Sequence, residues 1–107
     1  MSTTPTAQIL PLADLIAYQE GAIVSRVILK ADGGNVTLFA FAAGQELSEH
    51  TTPFDALDHV LDGEAEIRIS GQPFQLKSGE AILMPADKPH AVKAVNKFKM
   101  LLTMIKP

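Results

Sequence analysis

Turn signals recur so often along this chain that nothing much longer than a short strand fits between them. "ADGGN", "SGQ", "KSGE", "PADKP" and "VNK" each break the chain. Gly, Pro, Asn and Asp in such clusters supply positive φ or a fixed φ, and they end regular structure. Between them lie runs with period-two patterning: "AIVSRVILK", "NVTLFAFAAG", "PFQLK", "AILMP", "HAVKAV" and "KFKMLLTMIK". "ALDHVL" and "EAEIRIS" flank Asp62-Gly63, a pair that reads as a two-residue hairpin turn. The count is about eight short strands with no second helix, which predicts an all-β sandwich or barrel.

Only the N-terminal part departs from this pattern. Residues 1–8 are polar and Thr-rich and are expected to fray. "LPLADLIAYQEG" places Leu12, Leu15 and Ile16 at helical spacing before Gly21, which predicts a short helical or irregular segment. With 107 residues, no repeat and no linker, residues 1–107 read as one domain.

Composition excludes several function classes. The net charge is -3, and Lys93, Lys97, Lys99 and Lys106 are dispersed, so no cluster exists to neutralise nucleic-acid phosphates. Cysteine is absent, which removes disulfides, thiolate catalysis and Cys-type zinc sites and leaves the compartment open. No basic n-region with an apolar core opens the chain, and no apolar run approaches the roughly 20 residues of a membrane span. A cytoplasmic protein without membrane contact is the default expectation.

Two strands raise a question of partners. "LFAFAA" and "MLLTMI" are apolar on both faces, whereas a strand with one face on a core has a polar outer face. Either a second copy of the chain covers them, giving a homodimer, or the two strands cover each other across a two-layer core.

The chemistry-bearing residues gather in two places. "GQELSEHTTPFDALDHVLDG" holds His50 and His59, and His90 follows "MPADKP". Residues i and i+2 of a strand share a face. By that alternation His50 and Thr52 face the same way, and so do Ala56, Asp58 and Val60, and His90, Val92 and Ala94. If the valines and Ala94 face the core, Asp58 and His90 face it too, and His59 faces out.

The frame around these residues resembles that of a small single-domain cupin. Gly44, His50 and Gly63 stand where that family's first motif has Gly, His and Gly. Gly79, Pro85 and His90 stand where the second has Gly, Pro and His. The resemblance implies a double-stranded β-helix, or jelly-roll barrel. It also implies four metal-ligand positions, which fall on His50, Thr52, Ala56 and His90. Two of the four are kept. Asp87 replaces a motif Gly, and Ala94 replaces a motif Asn.

Two functions follow as expectations. In the first, the barrel binds a small organic molecule, with His50, Thr52, Asp58 and His90 as polar contacts. In the second, His50 and His90 hold a divalent metal (iron, manganese, nickel, copper or zinc) in a dioxygenase, isomerase or decarboxylase. The competing reading for both histidines is a buried neutral imidazole bonded to backbone or water. Asp58 would complete a two-His-one-carboxylate set, but it lies about 6.5 Å of strand beyond the family's Glu position. It is expected to be solvated at the barrel end or bonded to a neighbouring strand. Thr52 reads equally as a donor to a bound anion and as a turn residue before Pro53. Ala56 leaves space in the wall, and Met84 and Met104 read as core or rim packing.

Overall fold

The computed structural model describes residues 4–107. Eight strands form it: β1 (Ile23–Ala31), β2 (Gly34–Phe41), β3 (Glu46–His50), β4 (Asp55–Ile69), β5 (Gln72–Lys77), β6 (Ala81–Met84), β7 (His90–Lys93) and β8 (Phe98–Ile105). The expected all-β jelly roll is what the chain adopts.

The predicted hairpin at Asp62-Gly63 does not form. "ALDHVL" and "EAEIRIS" are one continuous strand, β4, fifteen residues long. Its first half pairs with β8 and β6, and its second half pairs with β5 and β7. A register shift between Val60 and Asp62 and the positive φ of Gly63 (73°) turn the strand from one sheet into the other. A bulge bends a strand in this way without ending it. The count of eight is met because "ELSEH" supplies β3. The tight two-residue turn lies instead at Ser70-Gly71, where both φ values are positive (50° and 82°), as a type I′ hairpin needs.

β4 thus joins two layers. One has the strand order β6-β4-β8-β2-β1, and the other has β5-β4-β7-β3. Between them lies a core of Phe41, Ala56, Val60, Ala65, Ile67, Leu76, Met84, Val92, Ala94, Phe98 and Met100. The rings of Phe41 and Phe98 stack at 4.6 Å.

The N-terminal helix is reduced to one 3-10 turn, Leu12–Asp14. Tertiary contacts decide its path more than helical propensity does. Ile16 is buried on the outer face of the five-stranded layer, where Leu12, Leu15, Tyr18, Leu61 and Leu101 surround Leu38 and Ala40. Three polar contacts hold the segment across that face. Arg26 donates to the Leu15 carbonyl at 3.1 Å, Lys99 donates to the Ala13 carbonyl, and the Tyr18 hydroxyl donates to Asp62 at 2.5 Å. Burial, then the bond to Asp62 and its charge, push the Tyr18 hydroxyl well above its usual pKa. The expectation of a frayed start falls partly on residues 1–3, outside the described residues.

The chain itself therefore covers part of the second apolar face of β2 and β8. These two strands are hydrogen-bonded neighbours in one sheet, so they do not cover each other across the core. Among the described residues no helix is long and apolar enough to cross a membrane.

Candidate functional site

One end of the sandwich is where β4 begins, β6 ends and β7 begins. The loop 85–89 crosses this end from Met84, which pairs with Ala56, to His90, which pairs with Ile69. Backbone and carboxylate bonds fasten it. The Asp55 carboxylate accepts from the Ala86 N–H at 2.8 Å, the Thr52 carbonyl accepts from Asp87 at 2.8 Å, and the Pro89 carbonyl accepts from Ser70 at 2.8 Å.

Asp87, in the slot where the motif has Gly, has φ 64°, a conformation that glycine adopts at least cost. Asp tolerates it better than most residues. Asp87→Gly is accordingly expected to leave Tm within a few degrees of the parent, and Asp87→Val to lower it by about 10 °C. A calorimetric scan of both variants checks this.

β3 and β7 bring His50 and His90 directly opposite one another. Their rings meet edge to face with centroids 4.3 Å apart. His90 is buried and His50 is exposed above it. Each Nδ1 lies by a backbone carbonyl two residues before it: Ser48 at 2.8 Å for His50 and Lys88 at 3.3 Å for His90. A carbonyl only accepts, so a neutral ring in this setting carries its proton on Nδ1 and leaves a lone pair on Nε2. Burial lowers the His90 pKa, repulsion from His50 lowers it further, and the Lys88 carbonyl partly opposes both. His90 is thus a neutral acceptor at neutral pH.

The other expected site residues follow their sequence reading in part. Strand β3 ends at His50, so Thr52 lies in a loop and strand alternation does not govern it. Its hydroxyl is engaged with the backbone N–H and carbonyl of Phe54, both at 3.3 Å, in a turn. Ala56 does not leave an open space: it is buried with Met84 and Met104 as its cross-strand neighbours. His59 is half-buried on the outer side, where alternation puts it.

Asp58 faces the core as expected, but it is neither solvated nor bonded to a neighbouring strand. It is fully buried, and neither carboxylate oxygen has a hydrogen-bond partner. Its cross-strand neighbours are Ile82 and Leu102, and Ala56 and Val60 flank it on the same face. Desolvation raises its pKa to about 7.

The donor set decides what this end can hold. Among the described residues, no three His, Asp or Glu side chains come together around a common point. A catalytic transition metal takes about three protein ligands and a structural one about four. Two imidazoles, a hydroxyl engaged elsewhere and an alanine do not fit such a centre.

The comparisons with known proteins agree with this architecture. A family model described as the cupin domain matches residues 37–106. The chain belongs to the cupin family. Among solved structures, this cupin is similar to a conserved protein of unknown function from Streptococcus pyogenes. The two are 35% identical with a TM-score of 0.91, over 96% of this chain and 90% of that one. It is also similar to a cupin superfamily protein from Desulfitobacterium hafniense, at 34% identity and TM-score 0.90, over 97% and 95%. A cupin 2 conserved barrel domain protein from Leptotrichia buccalis is 42% identical with TM-score 0.88, over 91% of this chain and 47% of that one. A curated relative, the polyketide synthase CurC of Streptomyces cyaneus, is 26% identical over 74 residues, 68% of this chain. The chain spans about half the length of that relative.

Proposed function

We propose that this cupin binds a small hydroxyl-bearing organic molecule at the end of its barrel where His50 and His90 meet, with their Nε2 atoms as acceptors. The observation that carries this reading is the cross-strand pair of imidazoles with both Nδ1 atoms against carbonyls. Two preset acceptors side by side suit a phenol, an enol or a hydroxy acid in its protonated form. Met84 and Met104, the cross-strand neighbours of Ala56, would give adaptable apolar contact to a molecule whose body reached that far into the barrel. In this reading Thr52 shapes the rim and does not touch the ligand, and Asp58 lies below it.

Titration calorimetry against a panel of simple phenols and hydroxy acids tests the proposal. At least one compound is expected to bind, and His90→Ala is expected to weaken it at least about tenfold, as removal of a buried hydrogen-bonding partner does. Affinity is expected to fall as pH drops low enough to protonate His90, whose pKa burial lowers, because its Nε2 then becomes a donor. Binding that survives both His50→Ala and His90→Ala unchanged would place the ligand elsewhere.

A further inference from the structure

The inner face of the five-stranded layer carries polar groups that the histidine pair does not use. Cross-strand neighbours share a face. One inward row therefore runs from Thr37 on β2 through Leu102 on β8 to Asp58 on β4. Thr37 and Asp58 flank Leu102 from either side, and both are buried. No group among the described residues hydrogen-bonds either carboxylate oxygen of Asp58. The Thr37 hydroxyl donates to the Asn35 side chain at 3.1 Å, which leaves its lone pairs able to accept. Leu102 and Met104 pack against the core yet stay partly exposed, so the wall beside Asp58 is not sealed from solvent. Buried polar groups are nearly always bonded, and one that its own chain leaves bare calls for a partner from outside it.

We infer that Asp58 and Thr37 form the far half of the ligand site and take a second hydroxyl of the same molecule. The inference rests on the imidazole reading above and narrows its ligand to a compound with a hydroxyl at each end. The second hydroxyl lies over Leu102, between the two side chains. Desolvation favours the acid form of Asp58, whose O–H donates to that hydroxyl, and the hydroxyl donates onward to Thr37. The span sets the size of the molecule. His90 comes from the four-stranded layer and Asp58 from the five-stranded one. Facing layers lie about 10 Å apart, so with both side chains in place a single ring fills the remainder. The unbranched side chains of Met84 and Met104, one row nearer the end on β6 and β8, turn to admit it.

Para-hydroxybenzyl alcohol and para-cresol differ by that one hydroxyl. Titration calorimetry of the parent is expected to show the alcohol binding at least about tenfold more tightly than the cresol. In Thr37→Val and Asp58→Leu, with folding confirmed by circular dichroism, this preference is expected to vanish while para-cresol binds as it does to the parent. Asp58→Asn keeps a donor and an acceptor and is expected to retain most of the preference. Should Asp58→Leu fail to fold, Thr37→Val and the parent's own contrast decide. Equal affinity of the parent for both compounds, with both weakened in His90→Ala, overturns this inference and leaves the imidazole site standing. A preference that survives in Thr37→Val and Asp58→Leu overturns it as well. Absence of binding by either compound, or binding that His90→Ala does not weaken, overturns the imidazole reading and this inference with it.

Discussion

Gly63→Ala is expected to destabilise the protein by about 3 kcal/mol or more, lowering Tm by roughly 15 °C. Gly63 is the residue at which β4 leaves one sheet for the other, and its φ of 73° already disfavours a side chain. A methyl group there would run into the Lys97 carbonyl oxygen and come within 3.1 Å of Cα and Cβ of Phe98. Backbone and a buried ring root cannot swing aside, so relaxation has to separate β4 from β8. Gly71→Ala separates this clash from simple backbone preference. Its φ is 82°, yet nothing lies within 4 Å of the added methyl. That variant is expected to cost only about 1 kcal/mol. Urea denaturation of the pair checks the difference, and equal losses would mean that the crowding at Gly63 is unimportant.

Asp58→Asn is expected to stabilise the protein by about 1–3 kcal/mol at pH 8 and to change little at pH 4. The folded carboxyl has its pKa raised from 3.8 to about 7. Below pH 4 it is protonated in both states and carries no ionisation penalty. Between about pH 4 and pH 7 the unfolded chain ionises while the folded one holds its proton, so stability falls as pH rises. Each pKa unit corresponds to about 1.4 kcal/mol, so the full window amounts to a few kcal/mol. Part of this remains in the variant, because an amide at a site without partners is also poorly placed. His90 works in the opposite direction. Its lowered pKa keeps it neutral in the fold while the unfolded residue charges below about 6.5, so its contribution to stability rises with pH up to there. Asp58→Asn therefore converts a profile with two opposed limbs into one that rises to about pH 6.5 and then levels. A difference in stability between Asp58→Asn and the parent that does not grow as pH rises from about 4 to 7 would show that Asp58 is not the group responsible.

Much of the fold was legible because period two and turn chemistry are local properties. The strands from Ile23 to Ala31 and from Phe98 to Ile105 needed nothing more. The error at Asp62-Gly63 came from the same local rule. A glycine with positive φ serves a hairpin and a strand bend equally well, and only the pairing of β4 with partners in both layers tells them apart. The N-terminal segment failed for a related reason: Leu12, Leu15 and Ile16 have helical spacing, but the contacts to Arg26, Lys99 and Asp62 are long-range.

At the site, alternation placed Asp58, His59 and His90 on the correct faces, and the resemblance brought His50 and His90 together. Alternation does not govern Thr52, because it assumes an extended chain and β3 stops at His50; the turn reading fits instead. It was silent on whether Asp58 meets a partner, since facing a core and being solvated at its end look alike in one dimension. The inward row from Thr37 to Asp58 needed the strand order. Only with β8 between β2 and β4 do these two residues flank Leu102.

In the proposed function the two imidazoles serve as acceptors for an organic ligand and do not form a resident metal centre. Elemental analysis of protein purified without added metal, paired with native mass spectrometry, tests it most directly. Transition metal is expected well below one equivalent, together with a retained or added organic molecule whose occupancy falls in His90→Ala. One equivalent of a single transition metal, lost in both His50→Ala and His90→Ala, would contradict it.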